Sequence, residues 1–167
     1  MKKTFLMLAG VLLLAACGPN REKQIAAINE QEQQLSSLNM TIDETEYSKI
    51  INLYRTFAHD FPNDSLTPVY LMRAADASIS MGKTDEAVAL LDTIIATYTD
   101  GFEDLGGCWF LKGYAYETAE QYNEAREAYT YFVEHYPNHY LAADTRKMIP
   151  YIGMTAEEMF EAIMANQ

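Results

Sequence analysis

The sequence predicts an all-α fold: a short α-solenoid of antiparallel helix hairpins, with an N-terminal helix before the hairpins and a C-terminal capping helix after them. Three observations lead there. Tyr47–Pro62 (YSKIINLYRTFAHDFP) and Tyr122–Pro137 (YNEAREAYTYFVEHYP) align without a gap, pairing Tyr47 with Tyr122, Ile50 with Ala125, Tyr54 with Tyr129, Phe57 with Phe132 and Pro62 with Pro137. Self-similarity of this kind marks a repeat architecture. Apolar residues recur three and four apart through most of the chain, the period of a half-buried helix. Only 8 Gly and 5 Pro stand against 9 Met and 12 Tyr, which suits helices more than sheets.

The first segment, 1–16, reads as a targeting signal. Lys2 and Lys3 precede an apolar run from Phe5 to Leu14, too short to span a bilayer at about 20 residues per span. The run ends in Leu14-Ala15-Ala16-Cys17, which resembles a bacterial lipobox. That resemblance implies cleavage before Cys17, lipidation of Cys17, and a mature protein held at a membrane by acyl chains without crossing it. Gly18, not Asp, follows Cys17, so an inner-membrane retention signal of the enterobacterial type is missing. The early acidic cluster that in some phyla directs export to the cell surface is missing too. The expected location is the cell envelope, at the outer membrane facing the periplasm. With Cys17 lipidated, Cys108 has no partner and no intrachain disulfide is expected.

Residues 17–21 form a tether. Within 22–46, Ile25, Ile28, Leu35 and Leu38 predict a helix over Arg21–Leu38 that packs on the first repeat, followed by a loop in which Thr45 is placed to cap the next helix. Residues 47–149 carry the repeats. Helices are expected over Tyr47–Phe61, Pro68–Met81, Asp85–Tyr98, Cys108–Thr118 and Tyr122–Pro137, with Pro68 in a first turn, Gly82 just past a helix end, and a further helix over Leu141–Ile149. In 150–167, Thr155-Ala156-Glu157-Glu158 is a capping-box sequence that opens a last amphipathic helix, expected to cover the end of the stack.

Trp109, Gly113, Tyr116, Ala125, Tyr129 and Pro137 fall at the W-x3-G-x2-Y-x8-A-x3-Y-x7-P spacing, which resembles the tetratricopeptide repeat. The preceding unit keeps Ala75, Ala87 and Leu91 in register, with Leu71, Ser78 and Thr99 at the remaining positions. It lies 38 residues upstream, against a usual period of about 34. Lipobox, early helices and the FPND/YPNH segments together are similar to envelope tetratricopeptide lipoproteins of the outer-membrane-assembly (BamD-like) and Tol–Pal-associated kinds.

No Ser/His/Asp arrangement, phosphate loop or zinc spacing is present, so no catalytic residue, metal or cofactor is expected. His135 and His139 are four apart, but Pro137 separates them. The net charge of −12 disfavours nucleic acid as a partner. The family resemblance implies a protein or peptide partner, held in a concave groove lined by the first helices of successive units. Carried over position by position, that groove would use Val69, Met72, Asp76, Ile79 and Ser80 from one unit and Phe110, Tyr114, Glu117 and Thr118 from the next, with Asp76 and Glu117 favouring a basic ligand residue. Two functions are open on the sequence: a membrane-anchored scaffold, or an accessory subunit that docks an envelope enzyme or glycan in peptidoglycan or polysaccharide handling.

Overall fold

The computed structural model describes residues 18–37 and 42–165. The signal segment and Cys17, along with the expected helix end at Leu38, lie outside them. The described residues form eight α-helices and no strand: α1 (Arg21–Ser36), α2 (Glu44–Asp60), α3 (Thr67–Ser80), α4 (Thr84–Thr97), α5 (Leu105–Thr118), α6 (Tyr122–His135), α7 (Ala142–Met148) and, after a 3-10 turn at Ile149–Tyr151, α8 (Ala156–Ala165). From α1 to α7 each helix packs on the next, and α3 also touches α5. This is the all-α, tetratricopeptide-like solenoid expected from the sequence.

The hairpins α3–α4 and α5–α6 are built on close approach. A Cβ placed on Gly113 would lie 2.6 Å from the Tyr129 ring, so only glycine lets α6 lie this near α5. Ala75, Ala87 and Ala125 are also fully buried. Large residues fill the space so created, with Phe57, Leu91, Ile94, Tyr129 and Phe132 all buried. Two buried tyrosines of second helices keep their hydroxyls satisfied in the same way. Tyr54 Oη donates to Glu32 at 2.7 Å and Tyr129 Oη to Glu117 at 2.8 Å. Burial, then the neighbouring glutamate, pushes both phenols well above the usual range.

The turns repeat as the sequence does. Phe61, Tyr98 and Tyr136 end the three second helices, each donating its N–H to the carbonyl four residues back at 2.9 Å. After α2 and α6 the chain makes the same two further bonds, Asp64 to Phe61 and Thr67 to Asp64, His139 to Tyr136 and Ala142 to His139. Within the hairpins, the left-handed position is filled by Gly82 (φ +67°) in one and by Glu120 (φ +59°) in the other. The second choice costs about 1 kcal/mol or more.

Several boundaries differ from expectation. The cap of α2 is Asp43, whose carboxylate accepts from the N–H groups of Thr45 and Glu46, instead of Thr45. Helix α5 begins at Leu105, not Cys108. Asp104 caps it by accepting from Gly107 N–H at 2.9 Å, and a Cβ on Gly106 would sit 3.1 Å from the Tyr136 ring. Capping and close packing thus override the low helix propensity of two glycines.

The end of the stack is closed by the 3-10 turn more than by the last helix. Ile152 is buried against Ala125 and Tyr129, and its carbonyl accepts from Arg126 at 2.9 Å. Helix α8 has the expected capping box, with Glu158 N–H donating to Thr155 Oγ1 and Thr155 N–H to the Glu158 carboxylate. It buries no residue, however, and Phe160 remains 65% exposed with Met159, Ile163 and Met164 beside it.

At the other end, α1 packs on α2 through the expected apolar stripe, with Ile28 fully buried and Ile25 and Leu35 against the core, and polar contacts fasten it further. Arg21 pairs with Asp64, Gln24 donates to Asp60 and Gln31 to Glu46, while Arg73 of α3 donates to Glu32 at 2.6 Å.

Gly113→Leu should therefore destabilise the protein by about 1–3 kcal/mol, and a thermal melt unchanged from wild type would contradict this helix register. Acid should loosen α1. The bond from Arg21 holds the Asp64 carboxyl below the usual carboxylate range. Because the folded value is depressed, its contribution is complete above the unfolded value, near pH 4, and is lost as pH falls through the folded one. Asp64→Asn should lower the melting temperature at neutral pH and reduce the loss seen on acidification. Equal slopes for the two proteins below about pH 4 would refute the assignment.

Candidate partner-binding cleft

The first helices α3 and α5 present one side to a concave face, and the turn between α6 and α7 closes its far wall. Val69, Met72, Arg73 and Asp76 follow one another at helical spacing along α3, and Gly107, Phe110 and Leu111 do so along α5. With Asp104, Tyr140 and Leu141 they enclose a cleft of about 320 Å³. Its floor is apolar. Phe110 is half-buried, its ring 5.6 Å from Tyr129 and 5.7 Å from Phe132, so it is held rigidly from behind. Tyr140 stands at the rim, 82% exposed and stacked on His139. A second hollow of about 200 Å³ lies beyond Asp76, between α1, α2 and α3, and shares Arg73 and Asp76 with the first.

The charges around the cleft are unequal in their commitments. Arg73 is tied to Glu32 and lies 5.9 Å from the Tyr70 ring centroid. Asp104 accepts from Gly107 N–H and lies 3.1 Å from His139 Nε2. Among the described residues the Asp76 carboxylate has no hydrogen-bond or ion-pair partner, and burial alone raises its pKa. An apolar floor, a rigid aromatic and one uncompensated carboxylate suit recognition by side-chain insertion.

Of the nine residues expected to line a groove, Val69, Met72, Asp76 and Phe110 come together in this cleft, while Ser80 lines the second hollow with Asp76. Ile79 requires correction. It is only 7% exposed and belongs to the buried core cluster, so its side of α3 is turned into the protein and not to the groove. Tyr114 is 43% exposed but outside both hollows, and Thr118 donates its hydroxyl to the Ala115 carbonyl. Glu117 is engaged by Tyr129, so its carboxylate supports the hairpin. Arg73, Asp104, Leu111, Tyr140 and Leu141 were not anticipated. The signal for the last two was present: YPNHYLAA aligns with FPNDSLTP, which makes the α6–α7 turn the entry to another first helix.

Elsewhere the chemistry is structural. Cys108 is fully buried and its thiol is pushed up to about 12, chiefly by desolvation, which makes it a poor nucleophile. His59 and His135 are exposed. Trp109, Tyr131 and His135 stack in sequence at 3.9 and 3.8 Å, with Lys112 Nζ 5.1 Å from the Trp109 ring centroid. No group of three or more His, Cys, Asp or Glu among the described residues could hold a metal ion, and no helix among them is long and apolar enough to cross a membrane.

The family model for the tetratricopeptide repeat matches residues 70–100 and 108–139. No curated protein and no solved structure matches the chain. The two matched stretches cover most of α3–α4 and α5–α6, the hairpins whose first helices line the cleft. Tetratricopeptide repeats generally mediate protein–protein interaction. Over these two hairpins, then, the chain is similar to the tetratricopeptide-repeat family, in sequence as in architecture.

Proposed function

We propose that the protein is a lipid-anchored scaffold of the bacterial cell envelope that captures a segment of a protein partner in its concave cleft. The observation that carries this reading is the cleft itself. Its floor of Val69, Met72, Phe110 and Leu111 is preformed, and Tyr140 projects over it into solvent. Exposed aromatics beside rigid apolar hollows supply much of the energy of many interfaces. The anchor rests on the lipobox-like LAAC ending at Cys17 and on the short apolar run before it. Position 18, a glycine, favours the outer membrane, facing the periplasm. The acidic surface favours a partner with a basic contact region over nucleic acid.

A photoreactive amino acid at position 140, expressed in cells, should crosslink to a discrete protein, and the same group at position 96 on the exposed side of α4 should not. Equal capture at both positions would count against the cleft. Tyr140→Ala should weaken capture without changing the melting temperature. By contrast, Glu117→Ala should cost about 1–2 kcal/mol, because it leaves the buried Tyr129 hydroxyl unpaired. For the anchor, metabolic palmitate should label the protein, and Cys17→Ser should abolish the label and release the protein from the membrane fraction. Unchanged fractionation would argue for another mode of attachment.

A further inference from the structure

Resting on the cleft reading above, the geometry points to a specific ligand: we infer that the cleft takes an extended segment of a partner protein carrying an apolar residue and, two positions away, a lysine or arginine. The apolar side chain sits on Met72, Phe110 and Leu111, and the basic one reaches Asp76.

The shape selects an extended chain. A cleft of about 320 Å³ admits side chains, whereas a helix is about 10–12 Å across and would ride on the rim without filling it. The spacing follows from α3. Asp76 is four residues beyond Met72, about 6 Å along the axis at 1.5 Å per residue. Alternate residues of an extended strand point the same way and are about 6.6 Å apart. A strand laid along the α3 axis with an apolar side chain over Met72 therefore places the side chain two residues on over Asp76.

The charge requirement comes from elimination among the groups around the cleft. Arg73 is the cation nearest to hand in sequence, but it donates to Glu32 at 2.6 Å on the α1 side. Asp104 is engaged by Gly107 and His139. That leaves Asp76, on the wall shared by the two hollows, without a side-chain partner among the described residues. An exposed carboxylate on the wall of an apolar cleft, without a side-chain partner of its own, favours a cation that brings N–H donors, and an acidic ligand residue there would be repelled. Asp76 thus supplies discrimination, while the floor supplies adhesion.

The test is selection of random linear peptides, displayed on phage, against the purified full chain, followed by fluorescence anisotropy of labelled winners. The expected result is enrichment of sequences with Leu, Ile, Met or Phe two positions from Lys or Arg. Asp76→Asn should then weaken their binding by about tenfold or more, and Asp76→Lys should turn the preference toward acidic peptides. Asp76 is exposed, so neither variant threatens the fold. Enriched peptides without basic residues, or with affinities indifferent to Asp76→Asn but reduced by Tyr140→Ala, would overturn the inference and leave the cleft standing. Enrichment of no sequence, or binding indifferent to both variants, would overturn both.

Discussion

Everything in this fold depends on how closely the two helices of a hairpin approach. A single hairpin cannot bury its own apolar face, so the units must stack, and stacking in register requires each hairpin to have a set thickness. Gly113 against the Tyr129 ring sets that thickness in the α5–α6 hairpin, and buried alanines serve in α3–α4. Once the helices are that close, the tyrosine hydroxyl is driven into the interior and must find an acceptor. The glutamates at 32 and 117 are there for that reason. The Glu117 carboxylate, placed by sequence at a groove, is thereby consumed by the architecture.

The same logic runs through both kinds of helix. The repeat signature is shared by both helices of the α5–α6 hairpin, with Trp109, Gly113 and Tyr116 on the first and Ala125 and Tyr129 on the second. First helices are packed as heavily, α3 lying against both α2 and α4, but α3 and α5 each leave one side open along the cleft. The cleft lies where the open sides of α3 and α5 meet the entry to α7, so these three elements contribute one wall each. Its rigidity is borrowed from the core, since Phe110 is backed by Tyr129 and Phe132.

Much of this was readable in the chain. The all-α class, the helix order and the α5–α6 register follow from Trp109, Gly113, Tyr116, Ala125 and Tyr129, because each is a residue type that close helix packing demands at its place. The groove was less readable. Its residues are ordinary ones whose exposure depends on the rotation of α3, which is why Ile79 was expected at the surface and lies in the core. The Ile25, Ile28 and Leu35 stripe that docks α1 was legible, but its added contacts from Arg21, Gln24 and Gln31 to acids between 15 and 43 residues away leave no periodic trace. The amphipathy of α8 was plain. That the Ile152 turn would make the closing contact depended on packing against Ala125 and Tyr129, which local pattern does not encode.

The matching turns after α2 and α6 have a consequence for how such a chain changes length. Phe61 and Tyr136 leave their helices with the same bonds, and so hand the next segment the same starting direction. Whatever follows that junction arrives as a first helix, as both α3 and α7 do. Whole hairpins are therefore interchangeable parts between two fixed ends, the polar clasp of α1 and the Ile152 plug. The two junctions bracket α3–α6, so a recombination event at the shared FPN/YPN sequence adds or removes two hairpins together, and alters the length of the stack without having to invent a new interface.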